Sequence, residues 1–274
     1  MQALPLPAGG QRIAYGDDPE QFGELRLPAK AAAGPAGVPV MVLLHGGCWL
    51  NEFDYRYMTR LAAALTAQGY ASWTPEFRRV GDAAGGWPNT LRDAALATDY
   101  LAVLAKQHRL EHRLDLGRVV VIGHSAGGQL ALWLAARGKL PPDSALYSPH
   151  PLGIHAVIGL DAITDLDTYR TGPPESCHAA VDPLMGGTPQ TQPRRYAEAS
   201  PLALLPLGVP QWLIQGGDDP IVSAASVRSY AAAATRAGDK VTLLEQPGAG
   251  HFESAVPRGP AWQALLAAVR KAVR

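Results

Sequence analysis

An α/β fold, with a mostly parallel central sheet and helices on both of its faces, is predicted by three features of the sequence. Apolar, often β-branched runs recur at residues 40–44, 119–122 and 154–160, and unbroken apolarity marks strands covered on both faces. Between such runs lie longer segments of helical periodicity, so strands alternate with helices, as parallel crossovers require. The third feature is Gly123-His124-Ser125-Ala126-Gly127, which joins the run 119–122 to the helix-forming stretch 129–137. A single domain over residues 1–274 is expected, with a cap-like insertion at about 161–206.

Residues 24–27 alternate polar and apolar and read as an early strand, antiparallel and near an edge. Residues 28–39 form a turn-rich connector. The strand at 40–44 ends in His45-Gly46-Gly47-Cys48-Trp49. Residues 56–68 are helical, and Gly69 stops them at the C′ position. A short strand at 70–73 leads into a Pro- and Gly-bearing loop at 75–88. Asn89 is the expected N-cap of a helix reaching about His108, with Leu91, Ala94, Leu101, Ala102 and Ala105 on one apolar face.

The strand and helix around Ser125 follow, then strands at 154–160 and 209–215. A helix at 223–236 is closed by Gly238, and a last strand at 240–245 precedes the terminal helix at 261–273. Residues 161–206, with Pro173-Pro174, Gly186-Gly187 and Pro193, show no period. A segment this long inside a compact domain is usually functional. We read it as a cap over the site, the other reading being a disordered surface excursion.

Composition narrows the class. Of 274 residues, 47% are apolar, enough for a large core, and 24 basic side chains balance 24 acidic ones. No basic field exists to hold nucleic acid or an anionic membrane. Two cysteines, Cys48 and Cys177, give no metal-ligand spacing and no disulfide framework. One bridge between them is open, but reduced thiols are the simpler expectation. Residues 1–10 have two Pro, two Gly and no basic stretch before an apolar run, so no signal peptide is expected. The richest apolar stretch, 202–214, is broken by Pro206 and Pro210 and falls short of a membrane span. A cytoplasmic protein with no cofactor, no metal and no nucleic-acid or membrane partner is the expectation.

The chemistry-bearing residues fall at strand ends. Ser125 needs a turn so sharp that side chains at 123 and 127 would collide with their surroundings, hence the two glycines. The first N–H groups and the dipole of the following helix favour negative charge there. Acyl transfer by a serine also needs a base, an orienter for that base, and donors for the oxyanion. Gly216-Gly217-Asp218-Asp219-Pro220 follows the strand 209–215, and Gly250-His251 follows the strand 240–245, so an acid and a histidine reach the same sheet edge. Asp219 is favoured as the acid, with Asp218 bonding loop amides and Asp161 the runner-up after another strand. The two glycines after His45 let the backbone approach a ligand, so Gly47 and Cys48 are expected to donate N–H groups beside that of Ala126. His124 is read as packing against the turn, His45 as fixing its own loop, and Glu253 as a loop hydrogen-bonder. Trp49 and Trp87 are candidate walls of a substrate pocket, although aromatic rings are as often plain core.

These motifs, in this order, resemble the serine hydrolases of the α/β-hydrolase superfamily. The His-Gly-Gly-x-Trp form is similar to arylformamidases (kynurenine formamidase-like) and related carboxylesterases, from about Phe22 to the C-terminus. The resemblance implies Ser125 as nucleophile, Asp219 and His251 as partners, and Gly47, Cys48 and Ala126 as oxyanion donors. Cys48 stands where formamidase-like members often have Tyr, which weakens transfer of the aryl-formamide substrate. A hydrolase of small esters, formamides or amides is therefore expected. Its rivals are a peptidase of the prolyl-oligopeptidase type, disfavoured because no propeller domain is present, a non-catalytic binding protein on the same fold, and an interaction module.

Overall fold

The computed structural model describes residues 6–29, 37–172 and 177–274. Its strands are β1 (Gln11–Ala14), β2 (Phe22–Arg26), β3 (Val38–Leu44), β4 (Ala71–Pro75), β5 (Leu114–His124), β6 (Ala156–Leu160), β7 (Gln211–Gly216) and β8 (Val241–Gln246). The helices are α1 (Thr59–Ala67), α2 (Asn89–Asp99), α3 (Leu101–Gln107), α4 (Ala126–Ala136), α5 (Leu166–Tyr169), α6 (Val181–Met185), α7 (Pro193–Ala199), α8 (Ala224–Arg236) and α9 (Gly259–Ala272). The strands form one sheet in the order β1-β2-β4-β3-β5-β6-β7-β8. β1 and β2 pair antiparallel at one edge, and every pairing from β4 to β8 is parallel.

Alternation along the strands explains the two-sided burial. Val40, Val42 and Leu44 of β3 pack with Val119 and Val121 of β5 beneath α2, α3, α4 and α8. Met41 and Leu43 pack with Val120 and Ile122 on the other face, against α1 and α9. Each strand is thus apolar at both parities because helices cover both sides. α4 is buried on nearly its whole circumference. Its core position fixes where the residue before it can point.

Several expectations change. β1 was not anticipated, since only Ile13 of its four residues is buried. The N-cap of α2 is Pro88, and Asn89 is its first residue, donating through its side chain to the Ala84 carbonyl at 2.9 Å. The long helix expected beyond Asn89 breaks at Tyr100 into α2 and α3. Residues 161–206 are ordered into α5, α6, α7 and short 3-10 turns where described. Arg170 pairs with Asp182 at 2.7 Å, Tyr196 also donates to Asp182, and Val181, Leu184, Met185 and Tyr196 join the main core. The connector at 28–39, the Pro173-Pro174 pair and the first half of the leader reading at 1–10 lie wholly or partly outside the described residues.

Cys48 and Cys177 are joined in a disulfide, their Cα atoms 4.8 Å apart across 129 residues of sequence. This corrects the reduced-thiol expectation and removes the argument for a reducing compartment. Spacing alone could not show it, because folding is what lays the 161–206 segment against the turn after β3. Among the described residues no helix is long and apolar enough to cross a membrane.

Candidate active site

Ser125 sits between β5 and α4 with φ 55° and ψ −120°, a conformation that costs a non-glycine residue on the order of 1–3 kcal/mol. Its neighbours enforce it. The Ser125 N–H donates to the Leu160 carbonyl at 2.9 Å, and its own carbonyl accepts from Gly128, Gln129 and Ile163. A Cβ on Gly123 would run into the Gly127 carbonyl, and one on Gly127 would run into the carbonyls of Leu44 and His45. Both glycines are thus required by backbone packed on backbone. The Ser125 hydroxyl is buried, has no hydrogen-bond partner among the described residues, and opens onto a cavity.

His251 and Asp219 come from the loops after β8 and β7. His251 Nδ1 lies 2.7 Å from Asp219 Oδ2, while Asp219 Oδ1 accepts from the Ile221 and Val222 amides at 2.8 and 2.9 Å. Burial pulls the Asp219 carboxyl up, but His251 and the two amides outweigh it and hold it below the ordinary carboxylate range. An ionised Asp219 only accepts, so Nδ1 carries the imidazole proton and Nε2 is left without one. Asp218 is exposed and offers its backbone N–H to Ala249.

A second layer, not foreseen in the sequence, holds the His251 loop. His124 is fully buried; its Nε2 donates to the His251 carbonyl at 2.7 Å and its Nδ1 accepts from the Tyr57 hydroxyl at 2.8 Å. Burial, reinforced by nearby His251, lowers its pKa to about 3, so the ring is neutral. Asp161 accepts from the Gly216 amide at 2.6 Å and from the Ser254 hydroxyl, not from the ring of His251. Burial raises its pKa to about 7 against the pull of those two donors. A polar residue closing an otherwise apolar strand was the one signal available for His124.

The turn after β3 is backbone presented to the same space. Gly47, Cys48 and Trp49 have φ of 101°, 57° and 57°. Among the described residues the N–H groups of Gly47 and Cys48 donate to no protein acceptor, and that of Ala126, in the first turn of α4, has no partner within the helix. His45 steadies the turn, bonding the Gly46 carbonyl through Nδ1 and Glu76 through Nε2 at 2.7 and 2.9 Å. Burial pulls Glu76 up, but His45 and Arg79 hold it below its ordinary value.

Gly47, Cys48, Ser125 and His251 line a cavity of about 650 Å³ with Leu50, Phe53, Tyr57, Ile221, Phe252 and, from the 161–206 segment, Cys177, Ala179, Ala180 and Pro183. No lysine, arginine, aspartate or glutamate is among these residues. Trp49 and Trp87, the expected walls, are not among them either. The Trp49 ring turns inward, 1% exposed, and donates to Gln129 at 3.1 Å. Trp87 packs on the core, with Arg195 over its face 5.7 Å from the ring centre. Two consecutive residues with positive φ swing Trp49 away from the cavity, which no sequence pattern reveals. Among the described residues no cluster of His, Cys, Asp and Glu could hold a metal ion.

A parallel sheet that hands a serine to a helix after β5, an acid to the loop after β7 and a histidine to the loop after β8 is the α/β-hydrolase fold. The chain belongs to the BD-FAE family, whose model matches residues 25–233. Solved structures share the architecture. An esterase from Thermogutta terrifontis is 21% identical with a TM-score of 0.74, covering 96% of this chain and 91% of its own. A truncated carbohydrate esterase from gut microbiota is 16% identical with a TM-score of 0.80, covering 98% and 97%. Esterase B from Lactobacillus rhamnosis is 20% identical with a TM-score of 0.79, covering 95% and 83%. No curated relative matches.

Proposed function

We propose that the protein is a serine esterase acting on small, uncharged carboxylic esters through an acyl-enzyme. The observation that carries this reading is the 2.7 Å His251–Asp219 bond opening onto the same cavity as the unpartnered Ser125 hydroxyl. His251 Nε2 takes the Ser125 proton as the oxygen attacks the ester carbonyl. Asp219 holds the imidazole tautomer and stabilises the imidazolium that forms. The amides of Gly47, Cys48 and Ala126 receive the negative charge that develops on the carbonyl oxygen. The leaving alcohol takes its proton from His251, and a water then repeats the sequence to release the acid.

The cavity lining supports neutral substrates, because among the described residues no lysine, arginine, aspartate or glutamate lines it to meet a charged acyl or alcohol group. The 161–206 segment serves as the cap, supplying one wall through residues 177–183. Aryl formamides and other amides share the chemistry and form the second substrate class. The esterases among the structural neighbours agree with the first.

A panel of p-nitrophenyl esters of increasing acyl length, run beside N-formylkynurenine, tests the reading. We expect ester turnover that falls by about 10³-fold or more in Ser125→Ala. A correctly folded Ser125→Ala that keeps wild-type turnover overturns it.

A further inference from the structure

The Cys48–Cys177 disulfide joins two parts of the site that nothing in the chemistry above requires to be joined. One end is Cys48, in the turn that presents the oxyanion donors, with its own N–H among them. The other is Cys177, which opens the 3-10 turn Cys177–Ala180 and is buried against the cavity. Both residues line the cavity that holds Ser125 and His251.

The turn needs an external hold. Positive φ at three successive residues, two of them with side chains, persists only where the surroundings over-determine it. The flanks are fixed: His45 bonds the Gly46 carbonyl, the Trp49 ring is anchored on Gln129, and Leu50 donates to the Gly47 carbonyl. At Cys48, between them, no hydrogen bond is made among the described residues, and the covalent link to Cys177 takes that place.

We propose that the Cys48–Cys177 disulfide is a positioning element of the catalytic site, holding the Cys48 amide where the oxyanion forms and fixing the adjoining cavity wall. The oxidised chain is then the competent form. This rests on the serine-esterase reading. Reduction by a dithiol is balanced: the protein disulfide takes two electrons and two protons and opens to two thiols, while the dithiol closes to its own cyclic disulfide. The bond borders an open cavity, so a small dithiol can reach it.

The experiment compares kcat and KM for p-nitrophenyl butyrate, and the rate of Ser125 labelling by a fluorophosphonate, for oxidised, dithiothreitol-reduced and reoxidised wild type. Circular dichroism at the assay temperature shows that each form is folded. Since losing one oxyanion donor costs about 10²–10³-fold in rate, a displaced donor should lower kcat and labelling together by about 10-fold or more. Reoxidation should restore both. Cys177→Ser, which leaves the residue at 48 untouched, should show the lowered kcat and ignore the reductant; should it not fold, reversible reduction of wild type still decides. A folded, reduced wild type with unchanged kcat and labelling overturns the inference, as does fully active purified protein whose thiols both alkylate without reduction. If the oxidised protein neither turns over esters nor labels at Ser125, the esterase reading fails instead.

Discussion

At Gly127 the fold leaves no room for a single extra carbon. The Cβ of an alanine there would press on the carbonyls of Leu44 and His45, which belong to β3 and the turn after it and cannot rotate aside. We therefore expect Gly127→Ala to cost on the order of 3–5 kcal/mol, read as a fall in urea midpoint, and to lower ester turnover with it. A retained midpoint would mean that the turn is looser than the packing indicates. Gly123, Ser125 and Gly127 were legible because their constraint is local, in the five residues of the turn itself. Asp219, favoured in the sequence as the acid, lies against His251, whereas Asp218 is exposed. The fate of Trp49 was not, because it depends on two positive φ values and on Gln129 eighty residues away.

Among the elements, α4 shows how the site is anchored. Trp133 is fully buried, and its indole N–H donates to the Glu198 carbonyl of α7 at 2.9 Å; Gln129 of the same helix donates to the Ala199 carbonyl. The helix that presents Ser125 thereby also pins α7 of the 161–206 segment. Trp133→Phe keeps an aromatic core but leaves the Glu198 carbonyl unpaired, which should cost about 1–3 kcal/mol. The loss should fall mainly on residues 161–206. Limited proteolysis should cut within residues 161–206 faster than in wild type, and a uniform rise in cleavage along the chain would refute that coupling. The strands were legible because burial on both faces makes them continuously apolar. β1, the break at Tyr100 and the short helices within residues 161–206 were not. The first is a nearly exposed edge, the second interrupts an unbroken apolar face, and the third are stabilised by the distant Arg170–Asp182 pair and by core contacts rather than by period. The disulfide belongs with these, since only the folded chain brings its ends together.

At the scale of the whole molecule, two buried groups that face each other, His124 Nε2 and Asp161 Oδ2, 3.9 Å apart, make opposing contributions to pH dependence. Burial takes His124 from its ordinary 6.5 down to about 3 and Asp161 from 3.8 up to about 7. Tyr57, Ser254, the Gly216 amide, Asp219 and His251 surround the pair. For His124, the unfolded chain takes up a proton below 6.5 that the fold refuses, so stability falls as pH drops from 6.5 towards 3. For Asp161, the fold keeps a proton that the unfolded chain releases, so stability falls as pH rises from 3.8 towards 7. Between 3.8 and 6.5 both states hold one proton on the pair, on Asp161 when folded and on His124 when unfolded, and the two slopes cancel. Asp219, held below its ordinary range, adds a loss only as pH falls below 3.8. Single substitutions should therefore unmask opposite slopes. Relative to wild type, the urea midpoint of His124→Gln should fall as pH rises across this window, and that of Asp161→Asn should rise. Tryptophan fluorescence at three pH values within the window reads both, and slopes of the same sign in the two variants would exclude this reciprocal holding of one proton.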